Sequence, residues 1–140
     1  MKSSRTVNRG LSVELLVSHE TALPIDMSLQ YEPVDPYAVC ASFTHIHSEE
    51  PVKWIIARDL LIDGLSGPVG EGDVRIWPAC EHDRRYLHVS LNPPTGTALF
   101  KVPAEEVEAF LRETEAVVPR GSESAYIDSD SLLAHLLAGG

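Results

Sequence analysis

From Leu23 to Tyr31 the chain alternates without a break. Leu23, Ile25, Met27, Leu29 and Tyr31 are apolar, and Pro24, Asp26, Ser28, Gln30 and Glu32 interleave with them. In an extended strand successive side chains point to opposite faces, so this pattern makes one face greasy and the other wet. Such a strand belongs in an antiparallel sheet packed on one side only. Leu11, Val13, Leu15 and Val17 repeat the period before it, with Leu16 as the exception. After the Asp35-Pro36 turn signal, Tyr37, Val39, Ala41 and Phe43 line a third strand. Val52 to Ala57 makes a fourth, apolar on nearly both sides.

The period then changes. Arg58-Asp59 opens a short helix with Leu60, Leu61 and Leu65 to pack, and Gly64 is its stop signal. Strands resume at Asp73 to Pro78, Tyr86 to Leu91 and Thr97 to Val102, with Asn92 to Gly96 as a turn between the last two. Pro103 suits the first position of a second helix, where its missing N–H costs nothing. Glu105 and Glu106 fit that helix's first turn, and Glu108 with Arg112 forms an i,i+4 pair. Val107, Phe110 and Leu111 are its buried stripe, and Pro119 ends it. A third helix is expected from Asp128-Ser129-Asp130, burying Leu132, Leu133, Leu136 and Leu137. The predicted fold class is therefore α+β: antiparallel sheet or sheets of about seven strands with three helices, each strand block followed by helix. Residues 1–10 read as a flexible N-terminal segment and 11–138 as a single domain.

At 140 residues the chain suits one domain burying roughly 65–70% of its unfolded surface. Eleven Lys and Arg against twenty-one Asp and Glu give a net charge of −10, with no basic stripe for a phosphate backbone or an anionic lipid surface. Nucleic acid is therefore not an expected partner. No apolar run approaches the ~18–20 residues of a membrane span. The two cysteines, Cys40 and Cys80, form no framework, which makes the reducing cytoplasm the default compartment.

The residue types that carry chemistry are present but do not converge. His45, His47, Cys80 and His82 could in principle hold zinc, yet no recognised ligand spacing links the two pairs. Glu49-Glu50, Glu105-Glu106 and Asp128 with Asp130 sit at turns and helix starts, where solvated acids are ordinary. Ser124, His88 and Asp83 cannot be assembled into a nucleophile, and Gly67 to Gly72 lacks the ending of a P-loop. No catalytic residue, metal or cofactor is expected, and the chain does not read as an enzyme.

The exceptions to the alternation carry more. If Val74 and Ile76 face the core, Trp77 points the other way, and Leu16 and Leu99 break pattern in the same sense. Large apolar side chains on a sheet's outer face mark an interface unless a helix covers them. Leu16, Trp77 and Leu99 are accordingly the candidate oligomer contacts.

Three segments, Asp35-Pro36-Tyr37-Ala38-Val39, Trp54 to Leu65 and Gly70 to Pro78, resemble in order and spacing the SsgA-like proteins. These are small actinobacterial regulators of sporulation-specific cell division. Val117-Val118-Pro119-Arg120-Gly121-Ser122-Glu123 resembles the family's Val-Pro-x-Gly-Thr/Ser-Glu segment, and similarity runs from about Leu11 to Leu137. The basic stretch Lys2 to Arg9 lies outside it. The resemblance implies a non-enzymatic protein at the division septum that works with the tubulin-like protein FtsZ, other divisome proteins and its own family paralogues. It also implies a homotrimer whose protomer has a whirly-like fold. That fold is shared with some single-stranded nucleic-acid binders, which supplies the alternative function of a nucleic-acid module. As motif positions of exposed or hinge character, Arg58, Asp59 and Gly121 are the candidate partner-binding residues. The plainer readings are a helix cap with a surface ion pair, worth about 0–1 kcal/mol, and for Gly121 a turn requirement alone.

Overall fold

Val7–Leu16 (β1) and Ala22–Tyr31 (β2) pair antiparallel without a break, from Val7 opposite Tyr31 to Leu16 opposite Ala22. The computed structural model in which this is seen describes residues 5–18, 20–45, 50–70, 72–92 and 96–127. β3 (Ala38–Thr44) adds to β2, and β4 (Val52–Ala57) adds to β3. A short helix, α1 (Arg58–Gly64), crosses to β5 (Val74–Glu81), which forms a meander with β6 (Arg84–Leu91) and β7 (Ala98–Pro103). The result is one seven-stranded antiparallel sheet in the order β4-β3-β2-β1-β7-β6-β5.

β1 joins the two halves, and its contact with β7 is narrow: Glu14 lies opposite Lys101 and Leu15 opposite Phe100. The sheet curls about this seam, bringing Phe43 of β3 against Phe100 of β7 on the concave side. Helix α2 (Ala104–Val117) lies in the concavity and buries Val107, Phe110 and Leu111 against the alternate residues of the strands. Val13, Met27, Leu29, Val39, Ile76, Leu87 and Val89 line that face, as the period of two requires. Arg9 and Arg85 tie the helix to β1 and β6 through Glu106 (2.9 Å) and Glu108 (2.9 Å). Glu108 thus pairs with Arg85 across the layer, not with Arg112 along the helix.

Several expectations are corrected. β1 starts at Val7, so part of the segment read as flexible is in the sheet; Val7 is buried opposite Tyr31, which its apolar side chain favours. β5 and β6 run to Glu81 and from Arg84, longer than predicted. Pro78 does not stop β5 because that strand is an edge. The N–H and C=O of Ile76 point outward to Val69, and Pro78, two residues on, places its missing donor on the same outer side. The turn is only His82-Asp83, both at positive φ (51° and 63°), which matches the twist of a two-residue hairpin without any glycine. Pro103 is the last strand residue and precedes α2 with extended backbone (ψ 123°), so Ala104 is the first helical residue. The described residues hold two α-helices, not three, and a 3₁₀ turn (Glu123–Tyr126); the predicted helix from Asp128 lies outside the described residues, as does His47.

Gly64 ends α1 for a reason of packing. The helix lies so close to β5 that a Cβ there would run into the Ile76 side chain.

Candidate functional site

The chain leaves β4 directly into α1, and this junction turns Arg58 inward. Arg58 is 1% exposed and its guanidinium lies 5.0 Å from the centre of the Tyr31 ring. Its Nη1 donates to the Val118 carbonyl (2.7 Å) and the Thr114 carbonyl (3.4 Å) at the end of α2, where the helix presents unpaired carbonyls and a partial negative charge. Its Nη2 donates to Glu123 (3.0 Å). The second Glu123 oxygen accepts the Gly121 N–H (2.7 Å). Hydrogen bonds from the backbone, first its own N–H, and from Arg58 hold the Glu123 carboxyl below the usual carboxylate range despite burial. Burial pushes the Tyr31 hydroxyl up to about 12, while that hydroxyl donates to the Pro36 carbonyl (2.9 Å).

A second arginine reaches back. Arg120, in the connector, donates from Nε to Asp59 (2.9 Å) and from Nη2 to Asp63 (3.1 Å), both on α1. The connector 118–123 is therefore laced to α1 by two arginines running in opposite directions, one buried and one at the surface. Val118 is extended, as a residue before proline must be, and this ends α2. Gly121 turns the chain at φ +96° with open space around it.

The structure thus brings Arg58, Asp59 and Gly121 into one cluster, but in different roles. Arg58 is not at the surface as expected but buried as a clamp: Nη1 and Nη2 are bonded inside, and Nε meets no partner among the described residues. Asp59 and Gly121 are exposed, and Asp59 makes a surface ion pair with Arg120, the residue before Gly121. Glu123 and Arg120 were not singled out from sequence. The family-like segment that contains them was the available signal, but Glu123 meets its arginine 65 positions away.

The convex face of the sheet holds the other candidates. Leu16 and Leu99 line one shallow depression of about 530 Å³ with Glu14, Glu20, His88 and Lys101. Trp77 lies on the same face one strand further, edge-on to His88 at 5.5 Å. All three apolar residues are half-buried. Lys101 is central here: it donates to Glu81 (2.7 Å) and sits 4.2 Å from the centre of the Tyr86 ring. The Glu81 hydrogen bond raises the Lys101 pKa and lowers that of Glu81, whereas burial and the nearby Lys101 charge lower that of His88. Cys80 is exposed on β5 and His82 is in the hairpin turn; among the described residues no group of three or more His, Cys, Asp or Glu is placed to hold a metal. No described helix is long and apolar enough to cross a membrane.

Residues 25–123 match the family described as "Streptomyces sporulation and cell division protein, SsgA". The chain belongs to the SsgA family. It is 46% identical over 133 residues to the sporulation-specific cell division protein SsgB of Streptomyces coelicolor, covering 95% of this chain and 96% of that one. It is 43% identical to the SsgB of Frankia casuarinae, covering 96% of this chain and 94% of the relative. Among solved structures, an SsgA-like sporulation-specific cell division protein from Thermobifida fusca superposes with a TM-score of 0.86 at 38% identity, covering 96% and 98% of the two chains. The structure described as "Mutations in SsgB correlate to longitudinal cell division during sporulation of Streptomyces coelicolor" superposes with a TM-score of 0.84 at 44% identity, covering 89% and 97%. The matched region of this SsgA-family chain ends at Glu123, so the double-arginine lacing of α1 to the connector falls wholly within it.

Proposed function

We propose that this protein is a non-enzymatic adaptor of sporulation-specific cell division. It acts at the septum, on the cytoplasmic side, and positions or recruits FtsZ either directly or through a family paralogue. What carries this reading is near-full-length similarity to relatives named sporulation-specific cell division proteins, at 46% identity for the one from S. coelicolor. The half-buried Leu16, Leu99 and Trp77 on the convex face support self-association, with a trimer as the expected state. An oligomer offers a polymer several weak sites at once, which raises avidity without strong individual contacts. Asp59 and Gly121 form the outer rim of the laced cluster and are the partner-facing residues of this reading.

Co-sedimentation with FtsZ filaments tests it. The protein should pellet only when filaments form, alone or with an added paralogue. Remaining in the supernatant under both conditions would refute recruitment. A light-scattering mass equal to the monomer would remove the oligomer.

A further inference from the structure

The two edges of the sheet are not alike. On β5, Val69 and Ile76 exchange backbone hydrogen bonds (2.8 and 3.0 Å), so that edge is partly covered. β4 forms the opposite edge. At its end the Arg58 N–H donates to the Tyr37 carbonyl (2.8 Å), continuing the β3–β4 ladder. In an antiparallel ladder a residue's N–H and C=O point the same way, and successive residues alternate. Val52, Trp54 and Ile56 therefore turn their backbone groups to β3, and Lys53, Ile55 and Ala57 turn theirs to the outer edge, where no other strand pairs with β4 among the described residues. Exposed edges of this kind are normally blunted by charge, proline or a covering element. Here Val52 and Ile55 are 59% and 65% exposed, and Lys53 is the strand's one charge.

A cleft adjoins this edge. On the concave side, Phe43, Val52, Trp54 and Phe100 are among the residues lining a space of about 240 Å³ whose exposed wall is mainly apolar, with His45 and Glu50 also in its lining. The geometry points to a docking site for an extended peptide segment of a partner protein, added as an eighth strand along β4. Backbone groups of Lys53, Ile55 and Ala57 would bind its main chain, and the cleft would take a large apolar side chain from its concave-facing positions. Its other side chains would fall beside Lys53 and Ile55 on the convex face, which favours a carboxylate there. The preferred segment is thus strictly alternating, apolar on one face and acidic on the other. This goes beyond the septal reading, because it specifies the chemistry of a bound chain whatever protein supplies it.

The test uses the full-length, isotope-labelled protein and the peptide acetyl-Leu-Glu-Phe-Glu-Leu-amide. Binding should shift the amide signals of Lys53, Ile55 and Ala57, slow their hydrogen exchange and change Trp54 fluorescence. A permuted peptide, acetyl-Glu-Glu-Leu-Leu-Phe-amide, and a version N-methylated at alternate amides should each bind at least ten-fold more weakly. Ile55→Pro removes an outward donor but no bond to β3, so it should abolish binding while preserving the circular dichroism spectrum. If that variant does not fold, Lys53→Glu should weaken binding several-fold at low salt, and a peptide with Lys in place of Glu should restore it. Equal affinity for all three peptides overturns the proposal, as does no response at millimolar peptide. So does finding those amides already protected in the free protein, which would mean that a second copy or another part of the chain occupies the edge. None of these outcomes depends on FtsZ.

Discussion

Phe43 and Phe100 stack with ring centres 4.3 Å apart and planes inclined by 22°, although β2 and β1 lie between their strands. A flat sheet would hold them several strand spacings apart. The pair therefore reports the curl directly. Truncating either ring should cost about 3–5 kcal/mol in urea unfolding, the usual range for a core Phe→Ala change. The double variant should show a coupling of about 0.5–1.5 kcal/mol beyond additivity. Strictly additive losses would mean that the rings do not meet in solution.

Arg58→Ala should destabilise by about 3–5 kcal/mol, because it strands Glu123 and the carbonyls at the end of α2 without a partner. The measurement is chemical denaturation at neutral pH. Arg120→Ala, which removes exposed pairs to Asp59 and Asp63, should cost no more than about 1 kcal/mol. Equal losses would contradict the division into a buried clamp and a surface lace.

The same cluster sets an acid limb. Glu123 is held below its ordinary value of 4.5, so in the window between the two values the unfolded chain binds the proton and the folded chain does not. Its contribution is thus complete above about pH 4.5 and is lost as pH falls through the lowered folded value. Glu123→Gln should be less stable than wild type at pH 7, with the gap closing as the buffer is acidified below that point. A constant gap from pH 7 to pH 3 would show that Glu123 is not titrating differently in the two states.

Tyr31 sets the alkaline limb with the opposite sign. Its folded value is raised from 10.0 to about 12, so stability is fully present below pH 10 and declines as pH rises towards 12. Absorbance titration should show a tyrosine ionising at about pH 12, and Tyr31→Phe should remove that step.

Gly64→Ala should destabilise by about 1–3 kcal/mol through overpacking, since the new methyl would press on Ile76. An accompanying Ile76→Val should recover part of the loss. Stabilisation by the alanine, as helix propensity alone would give, would contradict the close approach.

What the sequence revealed followed from local periods. Leu23 to Tyr31 could hardly be anything but a strand, and the stripe of Val107, Phe110 and Leu111 fixed the buried face of α2. What it hid depended on partners distant along the chain. Arg58 looked like a surface residue at a helix start because its acceptors lie 56 to 65 positions later. The hairpin after Glu81 was hidden because His82 and Asp83 adopt positive φ without glycine. Leu16 and Leu99 were each flagged by broken alternation, but only the β1–β7 register brings them to one depression.

That register also determines how the molecule would bear load. Shearing β1 against β2 strains an uninterrupted ladder from Val7 to Leu16, so force applied along those strands is shared among many bonds loaded in parallel. Peeling β7 from β1 instead concentrates tension on Glu14 and Leu15, after which side-chain contacts, the Phe43–Phe100 stack and the packing of α2 among them, carry the load. Pulled across its breadth, the molecule should part first at that joint, leaving two strand-and-helix blocks held by the α1 crossing and by side chains alone.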